Sequence, residues 1–386
     1  IRVGAGAPLA VANTLVAADA AFQDSLDVAA TSANAKLAFA NPARIAAGAA
    51  GNVTVTAAAA GVLDGTVAVA LTSNANGLAG LTNLGLTGQS TAVTGTAYDL
   101  ARATLAGGTL AMGNVRLGQS LSLAVTNTVV TDAAFQDSLD VLASSANAGL
   151  TLVSPGNILA SANGAVAVSA NVAGTIGGTV NLALTSNANG VTGLIPTTAL
   201  AGQSFAVTGA AFDYATATAA STLAFGNVRV AAGTTARNLA VTNTVTTSAA
   251  FQDSLDVTAT TAVANFAVTA PGNILAGQTR AVGVAIGDAG SLAGTIVLGL
   301  SSNANGVADL QGRTFADRTV TVTGAAYDLA QATVAPALTL GNVRVGAANP
   351  LAVTNTVFLS ATYQDSLDVV ATSANAKLGF ANPAKI

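Results

Sequence analysis

The chain has 386 residues, 51% of them apolar and only 8% charged, against roughly 25% charged in an ordinary soluble domain, and its net charge is −4. It has no His, Cys or Glu, which removes disulfides, thiolate chemistry, zinc sites and the usual triads and dyads, so neither a catalytic residue nor a cofactor is expected. Nothing resembles a basic stripe for nucleic acid, and no apolar run reaches the ~18 residues of a membrane span.

The chain opens Ile1-Arg2-Val3-Gly4, with neither the basic start nor the apolar stretch of a signal peptide. The first recurring element is Phe22-Gln-Asp-Ser-Leu-Asp-Val28, which returns at 135–141, 251–257 and, with Tyr363 for Phe, at 363–369, spacings of 113, 116 and 112 residues. Asn-Val-Arg at 114, 227 and 342, Asn-Thr at 13, 127, 243 and 355, Ser-Asn-Ala-Asn-Gly at 73, 186 and 302, and Val-Thr-Gly at 93, 207 and 322 travel with it. A fixed period of about 113 residues makes each copy a domain of its own. The copies are expected at 1–105, with an incomplete first strand, 106–219, 220–334 and, in part, 335–386, in a polypeptide that continues in both directions.

Within the second copy the apolar period is two, and Val-Thr alternation with frequent Gly favours strands and turns over helix. Strands are expected near 110–117, 121–128, 138–143, 150–153, 165–171, 179–185 and 204–209. Seven short strands between Gly, Asn, Pro and Ser turns predict an all-β fold of tandem immunoglobulin-like antiparallel β-sandwiches. The core is expected at Leu123, Val125, Leu139, Val141, Val166, Val168, Val180, Leu182, Leu184, Phe205 and Val207. The ~20-residue period of a β-solenoid is not found inside a copy.

The stretch 30–45 returns almost unchanged at 371–386, whereas the second and third copies share Pro-Gly-Asn-Ile-Leu-Ala at 155 and 271. A higher-order period of three copies, 341 residues, would account for this and requires a fifth copy resembling the second. Phe-Gly-Asn-Val-Arg-Val at 225–230, Leu-Ala-Val-Thr-Asn-Thr at 239–244 and Val-Thr-Gly-Ala-Ala-Tyr-Asp at 322–328 resemble the choice-of-anchor D repeats of bacterial surface proteins, which resemble in turn the immunoglobulin-like domains of the ASPM, SPD-2 and Hydin group. The resemblance implies secreted, tandemly repeated β-sandwiches of bacterial cell-surface or extracellular proteins. The chain departs from ordinary members in its lack of insertions and its three-copy period.

Among the common acids and bases only Asp is left. Asp24 with Asp27, and the equivalents Asp137/Asp140, Asp253/Asp256 and Asp365/Asp368, are candidate calcium ligand pairs, although EF-hand and RTX spacings are absent. The alternative is structural: the first Asp caps a turn, the second faces solvent, and the preceding Phe or Tyr plugs the end of its own sandwich. Asn13, Asn127, Asn243 and Asn355 fall in phase with inward Leu and Val, so each amide should bond a neighbouring loop's backbone. Ser-Asn-Ala-Asn-Gly reads as a turn with positive φ. Arg2, Arg116, Arg229 and Arg344 stand at the copy starts, where each guanidinium either reaches an Asp of the preceding copy, with Asp99, Asp213 and Asp328 just upstream, or stands in solvent. A single Asn-Val-Thr at 52–54 fits the glycan acceptor pattern.

The linkers Asp99-Leu-Ala-Arg-Ala and Asp328-Leu-Ala-Gln-Ala lack Gly/Ser runs, so consecutive sandwiches should be held close. Three domains in line would extend on the order of 100 Å. These features point to a non-enzymatic structural subunit of an extracellular filament, sheath or surface layer whose partner is a second copy of itself. The other reading is an adhesin stalk or autotransporter passenger spacing a binding domain from the cell surface. With 4% aromatics and no Trp, sugar binding fits poorly.

Overall fold

The computed structural model describes residues 1–16, 19–230 and 236–386. The described residues form strands, turns and short 3-10 segments, and among them no helix is long and apolar enough to cross a membrane. Internal contacts divide the chain into two units, Ile1–Met112 with Gly118–Asn171 and Thr175–Gly209, and Gly113–Leu117 with Val172–Gly174 and Ala210–Ile386.

The third copy shows the sandwich most fully. One sheet runs in the order Thr222–Arg229, Arg318–Tyr327, Gly294–Asn303, Ser254–Thr261 and Gly272–Ile274; the other runs Ala217–Ala219, Ala236–Asn243, Thr279–Ile286 and Phe266–Thr269. Alternate residues point inward, so Leu239, Val241, Val282 and Val284 of the second sheet meet Leu255, Val257, Ile296, Leu298, Val320 and Val322 of the first in one core. The second copy repeats the arrangement, and all eleven core positions expected there are at most 7% exposed. The first copy has sheets Ser25–Ser32, Gly65–Asn74, Leu84–Val93 and Gly6–Ala12, Ala50–Ala57, Leu37–Ala40 around a smaller core.

One strand departs from the antiparallel expectation. Thr222–Arg229 opens its copy yet lies parallel to the closing strand Arg318–Tyr327, with a bulge between Ala224 and Gly226 and with Arg229 opposite Tyr327. Gly324 is required at this bulge. Its φ is +148°, and a Cβ there would stand 2.5 Å from the Gly226 carbonyl oxygen. The first copy keeps the same direction, with Arg2 bridged in parallel to Tyr98. Because the two strands run together, the end of the opening strand arrives where the closing strand leaves for the next copy.

Three short strands lie across the copy boundaries read from the repeat. Ala103–Leu105, Ala217–Ala219 and Ala332–Val334 precede positions 106, 220 and 335, yet each hydrogen-bonds to a strand of the following copy.

Candidate functional site

The recurring polar residues gather where one copy meets the next. The linker residue Asp99 donates its N–H to the Phe135 carbonyl at 2.9 Å and accepts from the Asp137 N–H at 3.1 Å, a parallel bridge between successive copies. Asp213 makes the same pair of bonds with Phe251 and Asp253 (2.9 and 3.1 Å), and Asp328 with Tyr363 and Asp365 (both 2.9 Å). An aromatic pair flanks each bridge: Tyr98 with Phe135, Phe212 with Phe251, and Tyr327 with Tyr363, at centroid distances of 5.9, 5.5 and 5.9 Å. The Phe or Tyr of the Phe-Gln-Asp motif therefore packs on the preceding copy and does not plug its own sandwich. Phe22 has no such partner among the described residues and is 86% exposed.

The arginines reach forward, not back. Arg2 approaches Asp137 at 2.7 Å, Arg116 approaches Asp253 at 2.9 Å, and Arg229 approaches Asp365 at 2.8 Å. For these three the expectation of a partner in the preceding copy is overturned, because the opening strand carries the Arg to the far end of its sandwich. Asp137 and Asp253 are almost wholly buried, and their second oxygen accepts from Ser186 (2.7 Å) and Ser302 (2.6 Å). Those hydroxyls also accept the linker N–H of Ala101 (2.8 Å) and Ala215 (2.9 Å). Asp24 has the serine, Ser73 at 2.7 Å, and Arg344 makes no salt bridge among the described residues. The linker carboxylates have other work: Asp99 accepts from the Thr131 hydroxyl, and Asp213 from Thr247 at 2.6 Å. Leu359 stands at the matching position of the fourth copy, and Asp328 Oδ2 is buried there with no hydrogen bond among the described residues.

Behind this bridge sits the repeated asparagine. Asn127 is fully buried, donates to the carbonyls of Asp137 (2.9 Å) and Ile158 (3.1 Å), and accepts from the Arg102 N–H (3.1 Å) and Gln136 Nε2 (2.9 Å). All four hydrogen-bonding positions of the amide are filled. Asn243 repeats the set with Asp253, Ile274, Thr216 and Gln252. Asn355 repeats it with Asp365, Ile386, Gln331 and Gln364, and Asn13 with Asp24, Ile45 and Gln23. Asn127, Asn243 and Asn355 each tie the Phe-Gln-Asp motif, the linker and a third loop into one unit, and Asn13 ties the motif to the third loop. Gln136 extends it by bonding the Thr128 carbonyl and the Val130 N–H at 2.9 and 2.7 Å. The glutamines are not among the residues expected from the sequence, although the presence of one in all four copies of the motif, Gln23, Gln136, Gln252 and Gln364, is the signal for them.

The paired aspartates diverge. Asp140 accepts from Asn157 (2.6 Å) and Asn187 (2.7 Å), Asp256 from Asn273 and Asn303 (both 2.7 Å), and Asp27 from Asn74 and, at 3.3 Å, Arg44. The Asn74 amide, and less strongly Arg44, hold the Asp27 carboxyl below its ordinary range. Asp368 faces Lys385 across an antiparallel bridge. N–H donors satisfy a carboxylate and offer nothing to a cation, and no three metal-ligating side chains converge among the described residues. Nor does the first Asp cap the turn: Asp19 and Asp132 do so, accepting from Ala21 and Ala134 at 2.9 Å. The Ser-Asn-Ala-Asn-Gly turns hold Asn76, Asn189 and Asn305 at φ of 54°, 50° and 52°, each followed by a glycine of positive φ.

No family model and no curated protein sequence matches the chain. Among solved structures it is similar to domains 4–9 of the surface layer protein SbsC, at 15% identity and TM-score 0.21, covering 83% of this chain and 42% of that one. It is also similar to the human desmocollin-1 ectodomain, at 8% identity and TM-score 0.25, covering 77% of this chain and 51% of that one, and to the D00-D0 domain of intimin, at 10% and 0.24, covering 57% and 99%. The chain spans under half the length of the surface-layer fragment it matches. At these scores the likenesses carry no functional argument.

The joints are not identical. In the second joint the Arg116 guanidinium lies 4.3 Å from the Tyr214 ring and donates to the Gln311 carbonyl at 2.7 Å, while Arg313 approaches the same ring at 5.3 Å. Asn114 donates to the Ala308 carbonyl at 3.2 Å.

Proposed function

We propose that this chain is a non-enzymatic structural subunit of an extracellular filament, sheath or surface layer, in which sandwich copies held by stiff joints associate with other copies of the same chain. The observation that carries the reading is the joint itself. A backbone bridge, an aromatic pair and an Arg–Asp ion pair recur at all three joints, so the most elaborate chemistry of the sequence joins copy to copy. The resemblance of its short motifs to the choice-of-anchor D repeats agrees with a secreted bacterial surface protein, as does the dominance of Ala, Thr, Ser and Val over charge.

Because charge is scarce, self-association should depend little on salt. Sedimentation or light scattering of the full chain at low and high ionic strength tests this. The proposal expects assembly, rising with concentration, in both conditions. A chain that stays single at every concentration overturns the self-association and leaves a stalk that spaces a binding domain from the cell surface.

A further inference from the structure

We infer that the second joint is a copy-specific lock, made by Tyr214 and the segment 307–317, that holds the third copy to the second more tightly than the shared joint chemistry holds the first to the second. Both joints have the backbone bridge, the aromatic pair and an Arg–Asp pair with a serine behind it, and the first adds one cation of its own, Lys36 at 5.8 Å from the Phe135 ring. The difference that brings two arginines to one ring is the residue after the linker Asp. It is Leu100 in the first joint and Leu329 in the third, 37% and 49% exposed, and Tyr214 in the second.

Tyr214 offers its ring face to two guanidinium groups. Arg116, from the opening strand of the second copy, stacks on it while bonding Asp253, the Asp213 carbonyl at 3.4 Å and the Gln311 carbonyl. Arg313, from the third copy, approaches both Tyr214 and, at 6.0 Å, Phe315. Tyr214 thus stands between an arginine of each copy. The strand register identifies what the second copy has instead: Ser302 pairs with Arg313 and Ser186 with Thr198, so threonine replaces the arginine at that position. Phe315 and Leu200 likewise occupy matching places, each donating its N–H to the equivalent carbonyl, Leu300 or Leu184. A cation over an aromatic ring stabilises most when it is shielded from water, and Arg116 is only 12% exposed.

In an array of near-identical sandwiches, any tail fits any head through the shared contacts, so misassembly between copies is a standing hazard. A joint carrying an added, copy-specific contact favours one neighbour over the others.

The inference deepens the structural reading of the joints but is tested on single chains, so its failure is separable from failure of the self-association. The experiment is amide hydrogen exchange on the full chain. The Asp213 and Asp253 N–H groups report the second joint, Asp99 and Asp137 report the first, and Val282 and Val284 report the core of the third copy. The lock predicts protection about 10-fold greater at the second joint than at the first. Tyr214→Leu, which installs the residue of the first joint, and Arg313→Thr should each reduce that excess, Tyr214→Leu to the level of the first joint, with the Val282 and Val284 amides unchanged. Equal protection at the two joints in the unaltered chain, or an excess that survives Tyr214→Leu, overturns it.

Discussion

Replacing Asn127 by Ala removes a fully buried amide whose four hydrogen bonds reach Asp137, Ile158, Arg102 and Gln136. At about 1 kcal/mol net for each, the loss is about 4 kcal/mol before any cavity is counted, a large part of the stability of one domain. Because a multi-domain chain does not unfold in one step, the measurement should be local: amide exchange across the second copy, with the first and third as internal references. A loss of about 4 kcal/mol corresponds to roughly a 1000-fold fall in protection of the second-copy core. Asn127→Asp gives the sign. The new carboxylate would face the Asp137 and Ile158 carbonyls, and burial beside two acceptors raises its folded pKa above the unfolded one. The folded variant then binds the extra proton, so relative to the unaltered chain Asn127→Asp should be worst at neutral pH and recover as pH falls through that raised value. A fall in protection below 10-fold for Asn127→Ala, or an Asp variant that worsens on acidification, would refute the reasoning.

Gly324→Ala should destabilise the third copy by a couple of kcal/mol, because a Cβ there meets the Gly226 carbonyl oxygen at 2.5 Å and the φ is +148°; thermal unfolding of the variant checks it. A double-mutant cycle on Arg116 and Asp253, 12% and 2% exposed, should give a coupling of about 1.5–3 kcal/mol, whereas Arg229 and Asp365, 58% and 28% exposed, should give under about 1 kcal/mol. Asp27 titrates below the ordinary carboxylate range, so its contribution is fully present above the unfolded value and is lost as pH falls through the folded one. Asn74→Ala should move the Asp27 titration, followed by NMR at the carboxyl carbon, back toward 3.8.

The sandwiches were legible because burial of one face imposes a period of two on every long strand, and that period picked out the eleven core positions of the second copy. The strands Ala103–Leu105, Gly156–Ile158 and Thr197–Ala199 escaped because three residues are too few to display a period. The Asn residues could be read as buried amides from their phase alone. The destination of the arginines could not, because nothing local in Asn-Val-Arg states whether its strand runs with or against its neighbour. Proximity in sequence favoured Asp99 and Asp213, and strand direction chose Asp137 and Asp253. Tyr214 is hidden for the opposite reason: a repeat displays what recurs, and a tyrosine after the linker Asp occurs once.

The central claim, that the joints serve an assembly of identical chains, is most directly tested by electron microscopy of the native material. The account predicts ordered polymers whose axial repeat matches one copy or three. Isolated single chains, with no lateral or axial order, would contradict it.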